Sequence, residues 1–351
     1  MPAAAPAAQQ SDTHTTAVVL GLVLALLAAV VWWGAQRPDG DLGDGSGLGQ
    51  EVATFLVDEP LPRDLQPYAG LGTWVDVFDY APAYAGEDPP LSPADLDDMA
   101  GAGVRTVYLQ AVRQDERSPE RIVDEELMAQ FLIQGHRLGL RMVGWYLPRL
   151  GDVQDDLDHV AALADFEVGG GHRFDGVALD IEDTETESDV GLRNERLIEL
   201  SAQASDYLDG AALGAIVLPP VLIETVNPDF WPGFPWADLA GSYDVWLPMS
   251  YWTQRRPDSG FQDGYTYNEE STTRIRANLD DDEAVVHGIG GIGDEVTPAS
   301  LAAFGLSLAD TGSIGGSIYD WATLSAANRA AQQVVFADGT AADLPPPPDL
   351  G

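Results

Sequence analysis

Short apolar runs recur along the chain from about residue 70 to residue 336, with polar stretches between them. Eight of these runs start about 30 to 40 residues apart. They read GTWVDVFDY, VRTVYLQAV, RMVGWYLP, FDGVALDIE, LGAIVLPP, YDVWLPMSYW, EAVVHGIGG and GGSIYDWA. Runs of this length, rich in β-branched and aromatic residues, are typical of buried strands.

Helix signals occupy most of the segments between the runs. Ser92 and Thr297 are each followed by proline, which is typical of a helix N-terminus. Gly139 follows a helical pattern, in the position of a left-handed C-cap. Eight strands alternating with helices predict an α/β fold, a single (β/α)8 TIM barrel over residues 69–336. A doubly wound sheet is the alternative, but it would usually need fewer strands.

Residues 17–35 form an apolar run that is long enough to cross a hydrocarbon core of about 30 Å. Trp32 and Trp33 lie where an interfacial aromatic belt would be expected. A cleaved signal peptide is the alternative, although no Lys or Arg precedes the run. The sequence therefore predicts a single-pass anchor in the cell membrane, after an N-terminal tail of residues 1–16.

Two further segments have the composition of flexible chain. Residues 36–68 are rich in Gly, Asp and Pro and predict a flexible acidic linker between the anchor and the barrel. Residues 337–351 contain a run of prolines and predict a disordered tail.

The charge of the chain excludes several classes of partner. The net charge is −40, and each of the 17 basic residues is Arg. Such a chain is repelled by nucleic acid phosphates, so no nucleic-acid partner is expected. The absence of Cys excludes a disulfide framework, a thiol nucleophile and a Cys-based metal site.

The carboxyl ends of the predicted strands carry acids and large aromatic residues. Active sites of such barrels lie at these ends. The candidate site residues there are Asp76, Asp79, Gln110, Trp145, Tyr146, Asp180, Glu182, Asp183, Met249, Tyr251, Trp252, His287, Asp320 and Trp321. Aromatic rings stack on sugar rings, and carboxylates bind sugar hydroxyl groups. A glycan substrate is therefore expected, with no cofactor and no metal.

The fourth run holds the central pair of acids. Asp180 and Glu182 are two residues apart, so on a strand they share one face. Burial and a neighbouring like charge both raise a carboxyl pKa, as a general acid requires. We expect Glu182, nearer the mouth, to be the acid and Asp180 to hold it or orient substrate. A structural ion or pairing with Arg is the alternative.

The sequence DGVALDIE resembles the fourth-strand motif of family 18 glycoside hydrolases, the chitinase and endo-N-acetylglucosaminidase group. Asp175, Asp180 and Glu182 match the pattern, while Ala178 replaces one Asp. MSYW resembles the sixth-strand motif through Tyr251, with Trp252 in place of an acid. The resemblance implies Glu182 as general acid, with Asp180 and Tyr251 positioning an N-acetyl group whose oxygen is the nucleophile.

Two weaker resemblances extend this interpretation. GGSIYDW is similar to the eighth-strand segment of family 18, and Trp321 is the nearest match to its sugar-binding Trp. Family 25 lysozymes carry an Asp on the first strand and Asp-x-Glu on the fourth, which Asp76, Asp180 and Glu182 resemble. Both families imply a substrate that contains N-acetylhexosamine.

Three functions remain open from the sequence. The first is a membrane-anchored glycoside hydrolase that acts on extracellular or cell-wall glycans. The second is a glycan-binding barrel without catalysis, which Ala178 and Trp252 favour. The third is a metal-dependent hydrolase that uses the acidic cluster around Glu182.

Overall fold

The computed structural model describes residues 64–208 and 211–336. The predicted anchor, the predicted tail and most of the predicted linker lie outside these residues. Within the described ranges, no helix combines the length and the apolar character that crossing a membrane requires. The anchor at residues 17–35 therefore stays a prediction.

Eight parallel strands form a closed barrel in which each strand pairs with the next along the chain. The strands are β1 (Gly70–Val75), β2 (Thr106–Val112), β3 (Arg141–Tyr146), β4 (Gly176–Ile181), β5 (Leu213–Val217), β6 (Val245–Ser250), β7 (His287–Ile292) and β8 (Gly315–Tyr319). Pairing of β8 with β1, with Gly70 opposite Gly315, closes the sheet. The predicted barrel is confirmed, and the doubly wound alternative is wrong because its sheet would stay open.

Each strand is followed by a helix. The helices are α1 (Leu96–Gly101), α2 (Glu125–Arg137), α3 (Val153–Asp165), α4 (Val190–Tyr207), α5 (Trp236–Leu239), α6 (Gly264–Leu279), α7 (Pro298–Asp310) and α8 (Ala326–Phe336). Carboxylates cap many of these helices: Asp124, Asp152, Asp189 and Asp263 each accept a hydrogen bond from a first-turn N–H group. Part of the acidic composition therefore stabilises helix N-termini.

The helix signals in the sequence lie where they were expected. Ser92 forms a capping box at the short helical turn Pro93–Asp95, which leads into α1. Thr297 forms a capping box at the start of α7. Gly139 has a φ angle of 74°, so it ends the α2 segment in the left-handed region that favours glycine.

Aromatic rings fill the interior of the barrel. Trp74 stacks on Tyr108 with ring centroids 4.3 Å apart, and its indole N–H donates to Ser317 Oγ at 2.8 Å. A Cβ atom at Gly72 would lie only 2.7 Å from the Tyr108 ring. Glycine at this position therefore makes room for the ring.

Tyr68 closes the floor of the barrel, at the amino ends of the strands. Its hydroxyl donates to the carbonyl oxygens of Val177 at 2.6 Å and Ala212 at 3.1 Å. A Cβ atom added at Gly176 would lie 3.0 Å from Tyr68, and one added at Gly214 would lie 2.9 Å from it. The structure thus places residues 65–68, which the sequence analysis assigned to the linker, inside the packed barrel.

His287 belongs to this floor and not to the mouth. Strand β7 begins at His287, and the imidazole lies 2.8 Å from Tyr68 O and 3.0 Å from Ser317 Oγ. Complete burial lowers its pKa to about 4, so the ring is neutral at physiological pH. The expectation that His287 stands at the catalytic end of a strand is wrong, because β7 starts four residues later than the run EAVVHGIGG.

Candidate active site

The two central acids lie at the carboxyl end of β4. Asp180 is the penultimate residue of β4, and Glu182 is the first residue after the end of the strand. The chain bends there, because the Glu182 N–H donates to Asp180 O at 3.2 Å. Asp180 is buried, whereas Glu182 is half-buried at the mouth.

Both carboxyl groups hold protons more tightly than usual. Burial raises the pKa of Asp180 well above its ordinary value, and the charge of Glu182 raises it further, while Arg113 opposes both effects. Burial, followed by the charge of Asp183, raises the pKa of Glu182. Because the two acids interact, the pair titrates as a unit that retains a proton at a higher pH than an isolated carboxyl group.

Tyr251 extends this group from the neighbouring part of the rim. It follows β6 directly, and its ring centroid lies 6.0 Å from that of Tyr319 at the end of β8. Burial and the charges of Asp180, Glu182 and Asp320 raise its pKa. The phenol therefore keeps its proton and offers a hydrogen-bond donor beside the carboxylates.

Tyr319, the last residue of β8, belongs to this group although it is not one of the candidate site residues chosen from the sequence. Its hydroxyl donates to Asp76 Oδ2 at 2.6 Å, which joins the ends of β8 and β1. Asp76 Oδ1 accepts from the N–H of Phe78 at 2.6 Å and so caps the helical turn Val77–Tyr80. The alternation from Ser317, which faces the interior, was the available signal that Tyr319 points inward.

Asp76, Asp79 and Asp320 form a second group of acids at the same rim. Their carboxylate oxygens lie within 4.8 Å of one another, close enough to share a proton or a cation. Burial raises the pKa of Asp79 to about 8, with contributions from the charges of Asp76 and Asp320. The pKa of Asp320 is also raised, mainly by burial. This group therefore retains a proton near neutral pH.

Three buried polar atoms near β4 have no hydrogen-bond partner among the described residues. They are Asp180 Oδ1, Trp145 Nε1 and Gln110 Nε2. Gln110 and Trp145 are opposite each other in the β2–β3 register, and Trp145 is opposite Ala178 on β4. Donors and an acceptor left unpaired on three neighbouring strands are expected where a ligand or ordered water completes the hydrogen bonds.

Asp183 has structural partners. It pairs with Arg149 at 2.9 Å and accepts hydrogen bonds from the N–H groups of Glu185 and Thr186, both at 2.9 Å. These contacts turn its carboxylate into the loop after β4. The acidic run that the metal-dependent alternative required is therefore not gathered around one point.

Two aromatic side chains that were expected to contact substrate point away from the mouth. The hydroxyl of Tyr146 donates to Asp156, and its ring stacks on His159 with centroids 5.3 Å apart. Trp252 packs on Phe304 of α7 with centroids 5.3 Å apart, and its ring covers Gly290 of β7. Both rings therefore belong to the layer between strands and helices.

The remaining predicted residues are also buried. Met249 lies within β6, two residues before Tyr251. Trp321 is 2% exposed, and the Arg329 guanidinium of α8 lies 4.2 Å from its ring centroid. The structure does not bring Trp321, Trp252 and Tyr251 together as one sugar platform; the aromatic neighbour of Tyr251 is Tyr319.

The raised pKa of Asp79 predicts a pH-dependent stability that Asp79→Asn should abolish. In this pH range the folded chain keeps a proton that the unfolded chain releases. The contribution of Asp79 to the free energy of unfolding is therefore lost as pH rises from about 3.8 to about 8. Asn stays neutral and can still accept from the Asp76 N–H. In urea unfolding, the free energy of unfolding of the variant should rise relative to that of the wild type as pH increases, by at most about 1.4 kcal/mol per pH unit.

Asp95→Asn is the matched control for this experiment. Asp95 occupies the same capping-box position after Ser92 but is only half-buried. Its stability difference from the wild type should stay nearly constant over the same pH window. A constant difference for Asp79→Asn as well would contradict the proton-retaining group.

No family model and no curated protein sequence matches this chain. Solved structures with the same fold include a class V chitinase from Pseudomonas fluorescens Pf-5, 12% identical, with a TM-score of 0.54 over 76% of this chain and 98% of that one. A GH18 chitinase from Pseudoalteromonas aurantia is 12% identical, with a TM-score of 0.53 over 77% and 100%.

The spore cortex-lytic enzyme SleL from Bacillus cereus also shares the fold, at 8% identity and a TM-score of 0.54, over 84% of this chain and 85% of that one. At such identities the likeness shows the fold alone. The resemblance to family 18 barrels that the sequence motifs predicted is thus confirmed at the level of the fold.

Proposed function

We propose that the protein is a glycoside hydrolase that cleaves a glycan containing N-acetylhexosamine, with Glu182 as general acid. The observation that carries this proposal is the Asp180–Glu182 pair at the carboxyl end of β4, where burial raises the pKa of both carboxyl groups and the charge of Glu182 raises that of Asp180 further. A carboxylic acid that stays protonated near neutral pH is what protonation of a leaving oxygen requires.

Each residue of the pair has a distinct part in this reaction. Glu182, half-buried at the mouth, donates its proton to the glycosidic oxygen as the bond to the anomeric carbon breaks. Asp180, buried below it with one oxygen unpaired, and the Tyr251 hydroxyl hold the N-acetyl group. The carbonyl oxygen of that group is then the nucleophile, as the family 18 resemblance implies.

Binding without catalysis is the second candidate, and two residues favour it. Ala178 is completely buried in β4, where the family motif has an acid. Trp252, also at an acid position of the motif, packs on Phe304 in the helix layer. Neither position therefore supplies a carboxylate that could assist Asp180 or Tyr251. In catalysis, Asp180 and Tyr251 would have to position the substrate without it, with the Tyr319–Asp76 hydrogen bond nearby.

The names of the similar structures support the choice of substrate class. Two of them are chitinases, and the third is a spore cortex-lytic enzyme. The metal-dependent alternative at the acidic run around Glu182 has less support, because Asp183 is engaged by Arg149 and its own loop.

Replacing the proton donor tests the catalytic proposal directly. Glu182→Gln keeps the shape of the side chain but has no proton to donate, so turnover should fall by about two to four orders of magnitude. Release of reducing sugar from chitin oligosaccharides and from peptidoglycan glycan strands is the measurement.

The exposed Glu185, three residues further on, supplies the control. Glu185→Gln should cleave at the wild-type rate, and both variants should melt like the wild type. Equal cleavage by Glu182→Gln and the wild type would exclude Glu182 as the acid. A wild type that binds these glycans but cleaves none of them would favour the binding-only candidate.

A second prediction concerns the coupling between the two acids. Asp180→Asn removes one of the two interacting carboxyl groups, so the pair can no longer share a proton and the last proton of the site should be lost at lower pH. Since the acid must be protonated to act, the basic limb of the pH–rate profile should move to lower pH. Rates measured across the pH range on one oligosaccharide would detect this shift, and an unmoved basic limb would show that the two groups titrate independently.

We also propose that residues 17–35 hold the barrel at the outer face of the cell membrane. The support is the uninterrupted apolar run of spanning length together with a substrate class found outside cells. Protease added to intact cells should remove the barrel and leave a membrane-bound stub. A barrel protected from the protease, or mature protein free in the medium, would contradict the proposal.

A further inference from the structure

A cleft of about 800 Å³ lies between two loops that follow neighbouring strands of the barrel. Its walls are the loop after β5 and the loop after β6. Residues lining it include Leu222, Val226, Phe230, Arg255, Arg256 and Asp258. Neither Asp180 nor Glu182 lines the cleft, so it is a separate binding space.

Topology and one contact connect the cleft to the mouth. Both loops leave the carboxyl ends of their strands, which is the end of the barrel where Glu182 follows β4. Arg255 Nε donates to the carbonyl oxygen of Tyr251 at 3.4 Å. Tyr251 in turn feels the charges of Asp180 and Glu182. The cleft is thus joined to the mouth through the Arg255–Tyr251 contact.

The cleft concentrates positive charge on a chain whose net charge is −40. Arg255 lies with its guanidinium carbon 5.7 Å from the Tyr267 ring centroid, and Arg256 is exposed. Within residues 64–208 and 211–336, neither guanidinium forms an ion pair with a carboxylate, unlike Arg274 close by on α6. The charged residues that line the cleft are thus two arginines and one acid, Asp258.

An apolar surface faces these charges across the cleft. Phe230 is 38% exposed and Val226 is 36% exposed, both on the loop after β5. An exposed aromatic ring can stack on the face of a pyranose. The combination of an apolar platform and a free guanidinium fits a sugar that carries a negative charge.

We propose that this cleft binds a carboxylate-bearing sugar of the substrate, next to the bond that is cleaved. This inference rests on the proposed glycosidase function and adds an acidic glycan as its substrate class. Guanidinium groups match the planar carboxylate and form charge-assisted hydrogen bonds with it. The net charge of the chain repels a polyanion at long range, so recognition depends on short-range contacts at Arg255 and Arg256.

Calorimetric titrations of the full chain carrying Glu182→Gln, which prevents turnover, test the inference. Three probes differ in charge: chitotetraose is neutral, a hyaluronan tetrasaccharide has carboxylates on the ring, and an N-acetylglucosamine–N-acetylmuramic acid tetrasaccharide has them on lactyl groups. At about 150 mM ionic strength, where screening acts within about 8 Å, at least one acidic probe should bind about tenfold tighter than chitotetraose. The acidic probe that binds tighter identifies the source of the carboxylate.

Arg256→Gln should remove that preference and leave the affinity for chitotetraose unchanged. Arg137→Gln, which removes one exposed charge at the end of α2, is the matched control and should keep the preference. Equal binding of neutral and acidic probes, no binding of any probe, or equal weakening of all probes by Arg256→Gln would overturn the inference.

Cleavage by the chain with Glu182 intact separates this inference from the proposed function. Selective binding of an acidic probe without cleavage would overturn the hydrolase and leave the cleft assignment standing. Cleavage of chitotetraose without a preference for carboxylates would support the hydrolase and overturn the cleft assignment.

Discussion

Closure of the sheet by the β8–β1 pairing is the constraint on which the rest of the molecule depends. Once eight parallel strands close, all their carboxyl ends meet at one rim, however far apart they are in the chain. Asp76 after β1 and Tyr319 at the end of β8 are thereby brought to a hydrogen bond of 2.6 Å. The same closure places Tyr251 beside the acids of β4.

Gathering acids at one rim has an electrostatic cost, and the structure shows how the protein reduces it. Arg side chains neutralise the outer acids, as Arg149 does for Asp183. Among the described residues, Asp79 and Asp180 form no ion pair with an Arg side chain, and burial raises the pKa of both, although Arg113 partly offsets the rise for Asp180. A rim built in this way stores protons close to neutral pH, which is the property that acid catalysis needs.

The sequence predicted the barrel because buried parallel strands and their intervening helices leave strong local patterns. It predicted the Asp180–Glu182 pair because the two acids are only two residues apart in the sequence, at the carboxyl end of one short strand. The direction in which the other side chains at the strand ends point depends on the register around the closed sheet. A single segment of sequence does not reveal that register. Tyr146 ends its strand but faces α3, and Trp252 turns into the helix layer.

Loop conformation was a second limit on prediction. Arg255 and Arg256 lie in a stretch without apolar periodicity, and only the folded loops bring them to face Phe230. His287 shows a third limit, the exact start of a strand. A shift of the strand start moves a residue from the mouth of a barrel to its floor.

The floor itself ties distant positions together in evolution. Tyr68 fills the space that side chains at Gly176 and Gly214 would occupy, and its hydroxyl satisfies two carbonyl oxygens. A side chain gained at Gly176 would meet Tyr68, and one gained at Gly214 would meet both Tyr68 and Leu247, so Tyr68 would have to change with either glycine. Relatives of this chain should therefore exchange these three residues as a set, and such covariation would mark the barrels that share its floor.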